Sequence, residues 1–420
     1  MKKLVSLALA VLMLACIFGT CLAEAPAEKE EITVSLWDYS TCDYYKTQIA
    51  AFEEAYPQYT VRVIESPSAD YGDKIQIMLS GGDTVDVVYI GALATMSGLV
   101  VKDQLMPLDD YIAQSDIDPA NYSDLISKIT MDGKTYGMPF RKDNYMIFYN
   151  KDLFDERGVP YPQDGMTLEE FRALAKEMTY GEGADKVYGA HLHTWAKCLW
   201  LHPRRIGEFS PYEGSVESLR PYYETYLAMQ NEDKSIMDYA SLKAGSVHYS
   251  GVFYNEQVAM QMMGTWFINM LVEKTADGTI DFEWGVCSLP NDKGEGNTTG
   301  VGGITVAAIN KNAKNPDGAW AYINYVCGLE GAKVLASSGI LPGYTDDEVV
   351  GEILKNPGLP ENLADYLNLD TIIVEDALDP KAREIDKIFT EEHDLIMTNS
   401  VTLDEGLEEL QELLDECRAE

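Results

Sequence analysis

Residues 32 to 91 alternate between short apolar runs and longer runs whose apolar residues recur at helical spacing. The pattern predicts strands over 32–38, 61–66 and 85–91 and helices over 47–60 and 73–82. A strand–helix–strand–helix–strand order is typical of an α/β fold with a parallel sheet. A chain of 420 residues is longer than one hydrophobic core usually supports, so we expect two lobes.

The ends of the first and third predicted strands mark the expected binding edge. Ligands of such sheets bind outside the carboxyl ends of the strands. Trp37, Asp38 and Tyr39 follow the first strand, and Tyr89 and Gly91 lie at the end of the third. We therefore expect these five residues beside a ligand.

Glycine and proline interrupt the alternation of predicted strands and helices where the chain is expected to pass between lobes. We place these passages near residues 140–141, 296–301 and 342–344. The division that follows assigns 32–141 and 296–345 to an amino-terminal lobe, and 142–295 and 346–420 to a carboxy-terminal lobe.

The first 23 residues have the pattern of a secretion signal. Lys2 and Lys3 precede an apolar run over 4–18, and small residues before position 24 allow cleavage after Ala23. Residues 24–31 then form a polar tether. An alternative ending is a lipid anchor on Cys16, because residues 13–16 resemble an imperfect lipobox. Either ending predicts export to the outer face of the cytoplasmic membrane or beyond.

The net charge and the spacing of the cysteines indicate which partners and which cysteine chemistry to expect. The formal charge of −37 repels nucleic acid, so we expect no nucleic-acid partner. Seven cysteines are scattered without a C-x-x-C pair, which favours buried thiols but leaves one long-range disulfide open.

No catalytic or cofactor motif is present. The sequence lacks a G-x-S-x-G elbow, a P-loop, an H-E-x-x-H pair and a G-x-G-x-x-G loop, so we expect neither an enzyme nor a cofactor. His191 and His193 share one strand face and have His202 nearby, but we favour cleft or surface histidines over a metal site.

The aromatic residues are the feature of the sequence that points to a ligand. Tyrosine outnumbers phenylalanine 26 to 11, and tyrosine and tryptophan combine an apolar face with a polar edge, as a sugar ring requires. The candidates are Trp37, Tyr39, Tyr44, Tyr89, Trp195, Trp200, Trp266 and Tyr344.

Four segments together closely resemble the extracellular solute-binding proteins of carbohydrate importers. They are KTYGMPF (134–140), FYNKDLF (148–154), MMGTWFINML (262–271) and GGITVAAINKNAKNPDGAWAYINYV (302–326). The resemblance implies a two-lobe periplasmic-binding-protein-like fold (type II) with mixed sheets flanked by helices and a multi-strand hinge. It also implies a monomer that captures a carbohydrate and delivers it to a membrane permease by hinge closure.

The same resemblance implies roles for individual residues. Trp266 matches a tryptophan that stacks on sugar, and Arg141 matches a polar ligand contact. Gly302 and Gly303 match a loop whose backbone approaches the ligand. Trp37, Asp38, Tyr89 and Gly91 match ligand loops, although Val85 stands where the family has proline.

Two alternatives remain open. One is a secreted carbohydrate-active enzyme with a carboxylate pair, and the other is a binder of a non-sugar solute such as a peptide, a polyamine or a metal ion. Residues 191–205 depart from the family in their density of His, Trp and Arg. If Arg204 and Arg205 faced the cleft, they would favour an acidic sugar or another anionic solute.

Overall fold

The computed structural model describes residues 29–294, 299–367, 369 and 372–419. The strands within these ranges are β1 (Glu30–Trp37), β2 (Tyr59–Ser66), β3 (Val87–Ile90), β4 (Thr130–Met131), β5 (Lys134–Thr135), β6 (Met138–Lys142), β7 (Tyr145–Asn150), β8 (Tyr188–His191), β9 (Val258–Gly264), β10 (Trp284–Cys287), β11 (Gly300–Gly302), β12 (Ile304–Ile309) and β13 (Ile372–Val374). The signal, the tether up to residue 28 and Cys16 lie outside the described residues.

The α-helices flank these strands. They are α1 (Asp43–Ala55), α2 (Ser68–Ser80), α3 (Leu93–Val101), α4 (Asp109–Ala113), α5 (Leu125–Lys128), α6 (Lys151–Arg157), α7 (Leu168–Glu177), α8 (Lys197–Arg205), α9 (Arg220–Asn231), α10 (Tyr239–Ala244), α11 (Tyr249–Tyr254), α12 (Trp266–Ala276), α13 (Pro316–Val326), α14 (Leu329–Ala336), α15 (Asp347–Ile353), α16 (Ala364–Leu367), α17 (Ala382–Met397) and α18 (Leu403–Ala419). Short 3-10 helices cover Pro119–Tyr122, Gly183–Asp185, Val216–Leu219 and Glu361–Leu363.

The first lobe is built on a mixed sheet in the order β2-β1-β3-β12-β6. β1 runs parallel to β2 and β3, whereas β12 runs antiparallel to β3 and β6. Every residue of β3 and β12 is buried, because helices cover both faces of the sheet. The alternating amino-terminal segment therefore forms the predicted parallel strands.

A buried carboxylate fixes the start of β3 against its neighbours. Asp86 accepts hydrogen bonds from the backbone N–H of Thr33 at 2.8 Å and from that of Asn315 at 2.7 Å. Asn315 in turn caps α13 by accepting from the N–H of Gly318 at 2.9 Å, with Pro316 in the first turn. One side chain thus joins β1, β3 and the beginning of α13.

The second lobe is built on a sheet in the order β10-β7-β9-β8. β7 runs antiparallel to both β10 and β9, and β8 runs parallel to β9. Helices α17 and α18 contribute Phe389 and Leu410 to a core cluster that includes Ile147 of β7. The predicted two-lobe α/β fold with mixed sheets is confirmed.

The passage from the first sheet to the second is very short. β6 belongs to the first sheet and β7 to the second, with only Asp143 and Asn144 between them. The N–H of Asp143 donates to the carbonyl of Gly303 at 2.9 Å, so the first and second passages lie side by side. A third passage joins them through a β-bridge between Arg141 and Pro342.

The proposed segment boundaries stay a prediction. Apart from the first two residues of β1 and Lys142 at the end of β6, the two sheets take their strands from the segments assigned to them. Helix α14, however, packs on both sides of the division. Its Leu335 lies in a cluster of the first lobe, and its Ala332 and Ala336 lie in a cluster with Phe267 of the second.

Two further observations bear on the sequence patterns. Among the described residues no disulfide forms, and Cys198, Cys287 and Cys327 are buried. The part of the chain that the structure describes contains no helix with the length and apolar character needed to cross a bilayer.

Candidate binding cleft

A cleft of about 870 Å³ opens between the lobes. Trp37, Asp38, Tyr44, Gly91 and Arg141 line it from the first lobe. Further lining residues, from the second lobe and from the passages, include Asp143, Tyr145, Trp195, Lys197, His248, Tyr249, Trp266, Asn269, Glu273, Lys274, Gly303, Glu375 and Asp386. This size and its mixture of aromatic and polar groups suit a small-molecule ligand.

Trp37 forms an aromatic surface at the end of β1. Its ring packs edge-on against Tyr71, with centroids 5.2 Å apart, and remains partly exposed. A Cβ atom on Gly91 would lie 3.2 Å from this ring, so glycine leaves room for it. The guanidinium carbon of Arg141 lies 6.0 Å from the ring centroid, on the cleft side of the sheet.

Asp38 turns the chain away from Trp37. Its φ of 51° is in the left-handed region, which aspartate tolerates better than most residues. One carboxylate oxygen, Oδ1, accepts from the backbone N–H of Ser68 at 3.0 Å. This bond holds the loop after β1 against the start of α2, while the side chain lines the cleft.

Arg141 is held by three neighbours. Its Nε–H donates to Oγ1 of Thr305 at 3.0 Å, its Nη1 group donates to the hydroxyl of Tyr44 at 3.5 Å, and Oδ2 of Asp143 lies 3.6 Å from Nε. Burial opposes the charge of Arg141, but Asp143 and the nearby tyrosines outweigh it and raise its pKa. The guanidinium is therefore a fixed cation within the cleft.

The second lobe provides a cluster of rings on the other side. The centroid of Trp195 lies 5.8 Å from that of Tyr249 and 6.2 Å from that of Trp266. Trp195 is 39% exposed, which is unusual for so large an apolar side chain. His193 packs edge-on beneath it, with centroids 4.5 Å apart.

Trp266 owes its position to the residues just before it. It is the first residue of α12, and a Cβ atom on Gly264 would lie 2.0 Å from its ring, so the ring folds back over the end of β9 only because glycine is there. The indole Nε1–H donates to the hydroxyl of Tyr249 at 3.1 Å. The side chain remains partly exposed and lines the cleft.

A charged group lies at the base of the cleft. Nζ of Lys197 lies 2.7 Å from Oδ2 of Asp376 and 3.3 Å from Oε1 of Glu375. Burial raises the pKa of Glu375 against the opposing effect of Lys197. Burial lowers the pKa of Lys197, but its carboxylate neighbours outweigh this and raise it.

The three histidines singled out in the sequence, His191, His193 and His202, lie in two separate places. His191 and His193 lie behind Trp195, with Nε2 and Nδ1 3.4 Å apart, and burial lowers their pKa values to about 3 and about 4. His202 lies in the core, where Nδ1–H donates to the carbonyl of Pro290 at 2.8 Å and Nε2 accepts from Tyr226. Across the described residues, no three metal-binding side chains are arranged to hold an ion.

The structure places several of the sequence-based candidates outside the cleft lining. Tyr89 is 0% exposed, and its hydroxyl lies 3.1 Å from that of Tyr322. The pleat of β3 directs this side chain into the core cluster with Tyr45 and Phe140, and only Gly91, after the end of the strand, reaches the cleft. Trp200 is likewise buried, against Phe389.

Gly302, Tyr344 and Tyr39 also lie outside the cleft lining. A Cβ atom on Gly302 would lie 1.7 Å from the carbonyl oxygen of Asp143, so only glycine permits this close contact between the passages. Tyr344 packs edge-on against Tyr122 and borders a different pocket, and Tyr39 is partly covered by Lys46.

Arg204 and Arg205 do not face the cleft, which was the condition under which they would favour an acidic sugar. Nε–H of Arg204 donates to the carbonyl of Val374 at 2.9 Å, and Nη2 of Arg205 donates to that of Leu289 at 3.1 Å. Neither residue is part of the cleft lining. The unusual stretch over 191–205 instead supplies Trp195 and Lys197 to the cleft.

Several residues that line the cleft were not predicted from the sequence. Tyr145, Lys197, Tyr249, Glu375 and Asp386 are far apart in sequence and belong to no motif. Tyr249 follows His248 at the start of a short helix, and only its packing on Trp195 and Trp266 makes it distinctive.

Comparisons with known proteins agree with this architecture. The sequence pattern of the family described as bacterial extracellular solute-binding protein matches residues 42–333. A sugar transporter from Rhizobium etli, solved in an open conformation, is 34% identical, with a TM-score of 0.78 over 92% of this chain and 99% of that one. An ABC substrate-binding protein from Listeria monocytogenes in complex with cycloalternan is 20% identical, with a TM-score of 0.78 over 93% and 100% of the two chains.

A curated relative is similar in sequence as well. The galactooligosaccharide-binding protein of Bacillus subtilis is 24% identical over 318 residues, which cover 69% of this chain and 68% of that protein. The pattern match covers most of the chain, and the Rhizobium etli protein exceeds 30% identity over nearly its whole length. The chain belongs to the family of bacterial extracellular solute-binding proteins.

Proposed function

We propose that this protein captures a carbohydrate outside the cytoplasm and delivers it to the permease of an ABC-type importer. The observation that carries the proposal is the pair of aromatic surfaces on opposite sides of one cleft, Trp37 on the first lobe and Trp195 with Trp266 on the second. Tryptophan faces bind the C–H face of a pyranose ring, and polar groups between them bind its hydroxyls.

The polar groups of the cleft suit hydroxyl recognition. Asp38 accepts hydrogen bonds, and Arg141 offers N–H groups in a fixed geometry because Thr305 and Asp143 hold it. Gly91 and Gly303 also line the cleft, where the absence of a Cβ atom leaves room for the Trp37 ring and for the Glu375 carboxylate. We assign these residues, with the three tryptophans, to ligand contact.

The relatives support the same ligand class. The Rhizobium etli protein is described as a sugar transporter, and the Bacillus subtilis relative is named for galactooligosaccharide. The size of the cleft, about 870 Å³, is sufficient for more than one sugar ring, so we propose an oligosaccharide.

Binding without turnover distinguishes this function from that of a secreted carbohydrate-active enzyme. Known members of the family are binding proteins. The test is incubation of the purified protein with fluorescently labelled maltotriose, galactotriose and cellotriose, followed by gel filtration and chromatography of the sugar. We expect stoichiometric retention of one unaltered sugar. Release of shorter products would establish the enzyme instead.

We further propose that the protein is exported and acts as a monomer. Its family is extracellular, and the charged and apolar residues over 2–18 fit a secretion signal. Cys16 is the proposed site of a lipid anchor. Mass spectrometry of the amino terminus of the native protein decides between a lipidated Cys16 and a chain that begins after Ala23, and finding Met1 in exported protein would contradict both.

A further inference from the structure

The cationic side chains of the cleft each have a carboxylate neighbour. Lys197 faces Asp376 at 2.7 Å, Arg141 faces Asp143 at 3.6 Å, and Lys274 bonds Asp277 at 2.7 Å. These three residues are the lysines and arginines that line the described cleft. An anionic ligand would therefore have to share a cation that already has a carboxylate partner.

The carboxylates of the cleft outnumber the cations. Five line the described cleft, against three lysines and arginines: Asp38, Asp143, Glu273, Glu375 and Asp386. A negatively charged ligand would be desolvated among like charges, where the interaction is strong because little water screens it. The chain as a whole carries a formal charge of −37, which adds to the repulsion.

Glu375 has an unused acceptor. Its side chain is 12% exposed, and Oε1 faces Lys197 at 3.3 Å. The other oxygen, Oε2, is buried and accepts no hydrogen bond from the protein. A buried polar atom without a partner is unfavourable, so a ligand that donates a hydrogen bond to Oε2 would remove this deficit.

The backbone fixes Glu375 at the junction of the passages. The N–H of Glu375 donates to the carbonyl of Gly302 at 2.8 Å, as a continuation of the pairing between β11 and β13. A Cβ atom on Gly303 would lie 3.0 Å from Oε1 of Glu375, so the side chain lies directly over this glycine. Glu375 is therefore held at the base of the cleft.

We infer that the cleft selects a saccharide without negative charge, neutral or amino-substituted, and that Oε2 of Glu375 accepts a hydrogen bond from it. This inference rests on the proposed carbohydrate function. It excludes uronic acids, which carry a carboxylate on the ring.

The first experiment compares matched sugars on the unmodified protein. Calorimetry is carried out with α-linked galactotriose against α-linked trigalacturonate, with cellotriose against the chitosan trimer, and with maltotriose and mannobiose. We expect a neutral or amino sugar to bind at least about tenfold more tightly than any uronide. A uronide that binds as tightly as its neutral match would overturn this inference and leave the carbohydrate function standing. Failure of every sugar to bind would overturn both.

The second experiment tests Glu375 itself. Glu375→Gln retains the shape but places an amide where a carboxylate oxygen was, so we expect about tenfold weaker binding of the preferred sugar. The matched control is Glu416→Gln, an exposed position on α18, which should leave affinity unchanged. Unchanged affinity in a folded Glu375→Gln variant would remove Glu375 from the site. If that variant does not fold, the discrimination between matched sugars decides the inference.

Discussion

Arg141 and Asp143 form an ion pair at the point where the chain leaves the first sheet for the second. Arg141 is anchored to Thr305 of the first lobe at 3.0 Å, and Oδ1 of Asp143 accepts from Thr265 of the second lobe at 3.3 Å. Nε and Oδ2 of the pair lie 3.6 Å apart, and both side chains are largely buried. The pair therefore joins the lobes within the cleft.

Breaking this pair should destabilise the protein. Asp143→Asn leaves the Arg141 charge buried without its carboxylate, and we expect the free energy of unfolding to fall by about 3 kcal/mol. The matched control is Glu31→Gln, which removes the partner of Arg62 in an exposed pair and should cost less than about 1 kcal/mol. Chemical denaturation of both variants makes the comparison, and equal losses would show that the Arg141 pair contributes no more than a surface pair.

Trp266→Ala should weaken sugar binding and leave the fold intact. Removing the ring takes away a stacking surface, and we expect a loss of about 1–3 kcal/mol in binding free energy. Trp320→Ala is the control, because Trp320 stacks on Tyr111 outside the cleft. Calorimetry with the preferred sugar should show a loss for the first variant alone. An unchanged affinity with an unchanged circular dichroism spectrum would exclude Trp266 from ligand contact.

Tyr89→Phe separates a core residue from a ligand residue. The substitution deletes a buried hydroxyl that bonds Tyr322 at 3.1 Å and leaves the rest of the ring in the core. We expect the free energy of unfolding to fall by about 1 kcal/mol with no change in sugar affinity. Weaker binding at normal stability would restore Tyr89 to the site.

Local sequence was sufficient where a side chain is positioned by its immediate neighbours. The strand predicted over 32–38 forms as β1 (Glu30–Trp37) and ends at Trp37, and Gly91 leaves room for that ring. Gly264 likewise permits the position of Trp266 two residues later. Such relationships leave a short pattern that can be recognised in a single sequence.

Reasoning from local sequence failed where the pleat of a strand determines which side a side chain faces, or where a distant passage determines which residues meet. Tyr89 lies near the carboxyl end of β3, the strand that was predicted to border the cleft. Successive residues of a strand face opposite sides, however, and the side chain of Tyr89 faces the helices. Lys197 and Glu375 meet only because the strand pair β11 and β13 brings the chain back to the passages. No local pattern could indicate a contact of that kind.

His202 should remain uncharged well below the pH at which an ordinary histidine gains a proton. Burial lowers its pKa to about 4, aided by the nearby Arg205 and opposed by its hydrogen bond to Pro290. The unfolded chain binds a proton near pH 6.5, so between about pH 6.5 and about 4 the unfolded state holds more protons. The contribution to stability is therefore lost as the pH falls through this window, by on the order of 3 kcal/mol in full.

Nuclear magnetic resonance of the imidazole checks this directly. We expect the His202 signals to show no titration between about pH 7 and about pH 5 in the native protein, whereas the partly buried His248, whose pKa is lowered less, provides the internal comparison. A midpoint for His202 near that of a free histidine would contradict the buried neutral form.

Sugar binding should close the cleft. The lobes are joined by short passages at Asp143 and Asn144, near Gly302 and at Pro342, and a few dihedral changes there would move one rigid lobe against the other. A sugar that contacts Trp37 and Trp266 together binds the closed form better, and this differential affinity shifts the population. Small-angle scattering should therefore give a smaller radius of gyration with the preferred sugar at saturation. Trp266→Ala, measured at the same sugar concentration, should respond less because fewer molecules are occupied. A saturated protein whose scattering curve does not change would show that the passages do not act as a hinge, and that the cleft binds its ligand as a rigid site.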